Sequence, residues 1–461
     1  MHRAARLVAV LAASGLLAAA VAPRTVAAAQ DDGMLSSRIA TFFNRLNEQP
    51  DNYARLRYAS RRRSSADPQL RQIVDQVLVT EWSMFGRIGE AEAAFTVSQK
   101  AVPAAAPLPV AADWDAVSAA DYIAGAVRGR RILVVNEAHH RPQTRLLTLA
   151  LLPKLRALGF NHFAVEGLDP ADTGLAARGY PTEKSGYYIQ EPLYGEIVRE
   201  ALRLGFVVHA YEPGDAGRMA PQERETAQAK ALQAILDNDP GARLFVHAGY
   251  AHADKAPGRL PGNARPMAAE LARLTGIEPY TVDQTMLGSG DMSDATSPYR
   301  HLVESFPIQV SSVLVPRRGG AAWSYRPGYH DVTVLLPRQD PSEMRPAWLS
   351  RDGLRRSLRI KAAACNGSFP CLFEAFHASE GDDAIPADQF VLLGTNDGRW
   401  PLFLAPGRYR LRIRGEDGAL MSVRPVEITE TPAVQEMPAD PTRMPSMRPP
   451  PPNETTSTHP S

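Results

Sequence analysis

The chain has 461 residues, of which 44% are hydrophobic and 22% charged, with a formal net charge of +1. That length accommodates two or three domains around a sizeable core, in the ordinary composition range of globular proteins. The near-zero charge removes the electrostatic basis for nucleic-acid or anionic-membrane binding, which leaves a small molecule or a peptide as the expected partner.

The first residues have the pattern of an export signal. His2, Arg3 and Arg6 give a positive start, residues 7–21 are Ala/Leu-rich, and Ala27, Ala28 and Ala29 offer small residues for cleavage. Residues 1–29 are therefore expected to be a signal peptide, and the mature protein to be periplasmic or extracellular. A retained anchor is the alternative; the apolar run is short for a membrane span and ends in Pro23 and Arg24. No later stretch is apolar enough to anchor the chain after cleavage. Export agrees with the only two cysteines, Cys365 and Cys371, expected to form a structural disulfide in an oxidising compartment.

Residues 30–100 read as a helical segment, because Ile39, Phe42, Phe43 and Leu46, and then Leu70, Ile73, Val74, Val77 and Leu78, recur at helical spacing. Residues 101–113 are Ala/Pro-rich and read as a linker. From residue 114 to about 345 helices and strands alternate. Helices are expected over 116–127, 143–158, 193–204, 221–236 and 266–274. Strands are expected over 131–135, 161–165, 206–210, 243–247 and 278–282, with possible edge strands at 310–315 and 331–336. Pro153 is expected to kink or break its helix. Such alternation predicts an α/β fold, a mainly parallel sheet with helices on both faces. Residues 346–430 carry short alternating runs separated by turn signals such as Asn396-Asp397-Gly398, the pattern of a small antiparallel β-sandwich. The Pro-rich residues 431–461 are expected to be disordered.

Chemistry-bearing residues collect at the carboxyl ends of the expected strands. The first supplies Glu137, His139 and His140, the second Glu166, and the fourth His252 beyond Gly249 and Tyr250; Glu212 follows the third. In a parallel sheet these ends share one edge, where ligands are met. Carboxylates beside imidazoles form a set able to activate water, and the same set can bind a divalent metal or ligate haem. Gly249 lets the backbone approach a ligand. His162, His209 and His247 lie within strands and read as core or flank residues.

The stretches VVNEAHH (134–140), RALGFNHFAVEG (156–167) and HAGYAHADK (247–255) together resemble the superfamily of erythromycin esterases, ChaN-like haem-binding proteins and Tiki metalloproteases. Arg224-Glu225 with Gln228-Ala229 is similar to an Arg-acid-x-x-x-Ala stretch of the esterase branch. The resemblance spans about residues 130–285 and implies ester or amide hydrolysis. His140 by the esterase spacing, or His139 by the ChaN spacing, would act as base, oriented by Glu137. Glu166 would assist or polarise, His252 would stabilise or protonate the leaving group, and Arg224 and Glu225 would shape the cleft. The alternatives it carries are haem or iron binding through His252, Tyr250 or the His139–His140 pair, and metal-dependent proteolysis. Asn136 and Gly249 stand where the esterase pattern has Gly and His.

Overall fold

In the computed structural model, residues 26–95, 105–288, 295–340, 342–397, 400–431 and 433–438 are described. The expected n- and h-regions of the signal lie outside these residues. So do residues 96–104 and 439–461, where part of the linker and most of the expected tail fall.

Four helices open the described chain: α1 (Val26–Asn47), α2 (Asn52–Ser65), α3 (Pro68–Met84) and α4 (Ile88–Ala94). Asp51 and Asp67 accept hydrogen bonds from the first backbone N–H groups of α2 and α3, which fixes where each helix starts.

Residues 116–118, expected at the start of a helix, instead belong to strand β1 (Trp114–Ser118), and helix α5 begins only at Ala119 (Ala119–Ala126). Ser118 caps α5 through its hydroxyl, a stop signal for the strand and a start signal for the helix. β1 pairs antiparallel with β7 (Ser312–Pro316), so residues 310–315 do not edge the main sheet as expected.

The main sheet holds six strands, β2 (Ile132–Glu137), β3 (His162–Val165), β4 (Val207–Ala210), β5 (Leu244–Gly249), β6 (Tyr280–Asp283) and β8 (Val332–Thr333), in the order β4-β3-β5-β2-β6-β8 and parallel throughout. β2 shows why both faces are covered. Leu133 and Val135 enter the apolar cluster shared with α6 (Arg145–Ala157) and α7 (Pro192–Arg203). Ile132 and Val134 enter the cluster on the opposite face, shared with α8 (Pro221–Asn238) and α9 (Met267–Thr275). Alternation along a strand sends successive residues to opposite faces. Pro153 sits inside α6 without breaking it, contrary to expectation.

The strands of residues 356–436 form a four-stranded antiparallel sheet, β11-β10-β13-β14, and a three-stranded sheet, β12-β9-β15. Their ranges are β9 (Arg356–Arg359), β10 (Cys371–His377), β11 (Asp388–Leu392), β12 (Pro401–Leu404), β13 (Gly407–Arg414), β14 (Leu420–Ile428) and β15 (Val434–Glu436). One apolar cluster, with Leu358, Phe373, Phe390, Leu402, Leu411 and Ile428, is enclosed between the two sheets. Two expectations are corrected. β15 lies within the segment taken as disordered, and it pairs parallel with β9, so the module is not wholly antiparallel. Pairing with an edge strand supplies the backbone partners that a Pro-rich composition alone does not suggest. Cys365 and Cys371 form the expected disulfide, with Cα atoms 5.9 Å apart.

The N-terminal helices are wedged between the two bodies. Gln389 Nε2 donates to the Met84 carbonyl at 2.9 Å and Arg87 to that of Val391 at 3.1 Å, while Tyr187 Oη of the α/β part donates to Glu81 at 3.0 Å. Among the described residues no helix is long and apolar enough to cross a membrane.

Candidate functional site

The site is built on β5, the strand between β3 and β2. Parallel register sets Gly249 beside Glu137 of β2 and His247 beside Val165 of β3, so Glu166 follows one residue later on Gly249's other flank. The connections from β2 and β3 run over one face of the sheet and that from β5 over the other, which makes the carboxyl end of β5 the topological switch point of the sheet.

Glu137, the last residue of β2, is fully buried. One oxygen lies 2.7 Å from His139 Nδ1 and the other 2.8 Å from Arg145 Nε at the start of α6. Burial alone raises a carboxyl pKa; here the Arg145 guanidinium, the bond to His139 and the nearby His247 outweigh it and hold Glu137 well below the usual carboxylate range. Arg145 is itself fully buried and also pairs with Glu191 at 3.0 Å. His139 is stacked on Tyr188, ring centres 3.8 Å apart, and faces Gly249 with its other edge. A β-carbon on Gly249 would stand 2.6 Å from His139 Nε2 and 3.2 Å from Glu166 Oε2.

Glu166 accepts a hydrogen bond from the Gly249 backbone N–H and one from Arg224 Nη2 at 3.2 Å, and lies 3.6 Å from His252 Nε2. Arg224 also grips Glu212, and Glu225 holds His252 Nδ1 at 2.8 Å. Burial opposes a charge on His252, but the carboxylates of Glu225 and Glu166 prevail and raise its pKa above the ordinary imidazole value. Burial likewise disfavours the Glu166 anion, and His252, His139 and Arg224 more than offset it. The sequence candidates thus form two linked groups, Glu137–His139 and Glu166–His252–Glu225, that meet at Gly249, with Arg224 and Glu212 bracing the second.

His140 stands apart. Its Nδ1 is 2.9 Å from Tyr250 Oη, its ring is stacked on Phe95 at 3.6 Å, and burial pulls its pKa down to about 3. Tyr250 is in the left-handed backbone region, φ 42°, a strained turn that carries its hydroxyl to His140.

Three partners went unread in the sequence. His247, taken as core or flank, bonds Thr148 at 3.0 Å and lies 3.9 Å from Glu137; burial lowers its pKa to about 4. Arg145 and Tyr188 lie in a leucine-rich helix and a polar loop without a motif. Only the parity of His247 with Gly249 along β5, two residues apart and hence on one face, signals its place. On the opposite parity Asn136 donates to the Tyr250 carbonyl at 3.1 Å and to Asp283 at 3.0 Å, and accepts from the Gln284 N–H at 2.7 Å. His162 and His209 bond each other at 2.8 Å, at the far end of the sheet.

A metal ion does not fit these side chains as they stand, and haem fits them only in part. Both ring nitrogens of His252 face carboxylates and the Tyr250 hydroxyl is engaged by His140, which leaves the His139–His140 pair, with the unpartnered Nε2 of His140, as the candidate axial ligands. Both oxygens of Glu137 are engaged, and among the described residues no group of three or more His, Cys, Asp or Glu is arranged to hold a metal ion.

No protein-family model matches the chain, and no curated protein matches it. Among solved structures it is similar to the type III effector HopBA1, at 16% identity and TM-score 0.26 over 41% of this chain and 91% of that one. It is also similar to RRSP, a MARTX toxin effector domain from Vibrio vulnificus CMCP6, at 15% identity and TM-score 0.27, over 36% of each chain.

Proposed function

We propose that this chain is an exported hydrolase of the erythromycin esterase/ChaN-like group that cleaves an ester or amide bond. The observation that carries it is the buried Glu137–His139 pair, with the free edge of the imidazole turned to Gly249 beside Glu166. With Nδ1–H donated to Glu137, His139 Nε2 keeps its lone pair for a water proton. The water oxygen bonds to the substrate carbonyl carbon as that proton moves to Nε2, and the carbonyl electron pair moves to oxygen. Collapse breaks the bond to the leaving group, which takes its proton from His252, held cationic by Glu225 and Glu166. Glu137 stabilises the imidazolium formed on His139, which then releases its proton to solvent while His252 regains one from solvent, restoring both groups. Between the two candidate bases the geometry favours His139, since His140 is engaged by Tyr250 and lacks a carboxylate partner. The β9–β15 module is taken as a β-sandwich appended to the hydrolase.

The test is hydrolysis of p-nitrophenyl acetate and p-nitroanilide substrates by the full chain, with and without chelator. Activity that survives chelation and falls by about 10²–10⁴ in His139→Asn is expected. Equal activity in the wild type and His139→Asn would overturn the assignment. Loss to the chelator would point to the metal-dependent branch.

A further inference from the structure

The candidate site is closed, and what closes it on one side is the last turn of the N-terminal helical segment. His140 is 4% exposed, and its Nε2 has no hydrogen-bond partner although it is buried. A buried polar nitrogen left unpaired is costly and marks a position where a partner is missing. The ring over that imidazole is Phe95, one residue beyond α4, nearly parallel at 14° and 3.6 Å between centres. Three residues earlier Glu92 pairs with Arg141, with Oε2 2.8 Å from Nη2. The last turn of α4 thus presents a carboxylate to Arg141, and the extended residue that follows the helix presents an aromatic ring to His140. The neighbouring imidazole of His139 is covered in the same manner by Tyr188. Two adjacent imidazoles are therefore each capped by a flat ring, one from the α/β body itself and one from a segment outside it.

We propose that residues 92–95 are an internal plug, with Phe95 filling an aryl slot over His140 that a flat aromatic group of the ligand takes when the plug withdraws. Glu92–Arg141 is the latch. Such a contact suits a protein that must keep a hydrolytic cluster shut until its ligand arrives. The plug does not depend on the reaction proposed above, and its test uses no turnover.

The experiment is diethylpyrocarbonate modification of the full chain at neutral pH, read at His140 by peptide mass, with exposed His301 as internal reference. The imidazole of His140 is neutral at that pH, so its rate reports access rather than protonation. His140 is expected to react far more slowly than His301 in wild type and about tenfold faster in Phe95→Ala, which corresponds to about 1.4 kcal/mol of closure. Phe95→Tyr keeps the ring and the protection. Glu92→Gln, which loosens the same turn through Arg141, raises the rate without touching the ring. Benzyl alcohol slows the reaction in Phe95→Ala, and hexan-1-ol does not. If His140 reacts as fast as His301 in wild type, or at one rate in wild type, Phe95→Ala and Glu92→Gln, there is no plug. If both alcohols protect equally, the slot is merely apolar and the aryl assignment falls.

Discussion

Gly249 occupies a point where a β-carbon would stand 2.5 Å from His139 Cε1, closer than any packed pair of carbons. Its φ of −78° suits any residue, so the requirement is one of space alone. Gly249→Ala is therefore expected to push His139 off Glu137 and Tyr188 while the sheet persists. Ester hydrolysis should fall by about 10²-fold, with a stability cost of about 1–3 kcal/mol from overpacking. Kinetics alongside urea unfolding check both; an unaffected rate would remove His139 from the chemistry.

Glu137→Gln keeps the shape and discards the charge. It leaves Arg145 with Glu191 as its remaining carboxylate, so the fold should lose about 3–5 kcal/mol, the usual result of breaking a buried pair from one side. Arg145→Met should be similarly costly, because it strands two carboxylates. The double substitution Glu137→Gln/Arg145→Met is expected to recover part of the loss in a double-mutant cycle by chemical denaturation. Purely additive losses would show that the pair is not coupled.

Acid should destabilise the protein through its buried imidazoles. His247 and His140 have folded-state pKa values of about 4 and about 3, below the ordinary imidazole value of 6.5. An unfolded chain then binds more protons than the folded one between those limits, so stability is full above about pH 6.5 and falls as the pH drops toward 4. His252 has the opposite sign: its raised pKa contributes stability below 6.5 that is lost as the pH rises through the folded value. His209 and His377 are shifted down as well, and the His252 contribution changes only above pH 6.5, so the histidines give a positive slope with pH between 4 and 6.5. Thermal melts between pH 4 and 7 should show it, and His247→Gln should flatten the curve. A wild-type curve level across that range would contradict the burial of neutral imidazoles.

Reduction should act on the C-terminal module and spare the site. The Cys365–Cys371 bridge closes a loop of six residues' separation, for which the chain-entropy relation gives about 2 kcal/mol. Cys365→Ser/Cys371→Ser is expected to lower the unfolding midpoint of the module, followed by Trp400 fluorescence, and to leave hydrolysis unchanged. Loss of hydrolysis in the folded double variant would tie the disulfide to the active site.

The strand ends were legible because they carry two signals at once, a β-branched run and an abrupt cluster of ionisable residues. The parallel sheet then brought Glu137, Glu166 and His252 to one edge by register alone. His247 and Arg145 were not legible, since a histidine inside an apolar strand and an arginine in a leucine-rich helix look alike whether they face solvent, core or site. β1 was missed because its residues, WDAVS, run into a helix with no turn residue between them; only pairing with β7, far along the chain, decides for a strand. The same holds for β15, whose partner β9 lies almost eighty residues earlier. Phe95 over His140 was beyond reach, as nothing local to either residue names the other.

β2 ends in two polar residues of opposite parity, and the consequence is a division of labour at one strand tip. Glu137 serves the imidazoles on one side of the sheet. Asn136, from the other side, ties the loop after β6 to the Tyr250 turn through Asp283, Gln284 and the Tyr250 carbonyl. The two share one strand tip and touch where the Tyr250 ring meets the His139 ring edge-on, 5.1 Å between centres. Asn136→Ala should slacken the Tyr250 turn, and with it the hydroxyl that His140 relies on, while the Glu137–His139 pair keeps its geometry.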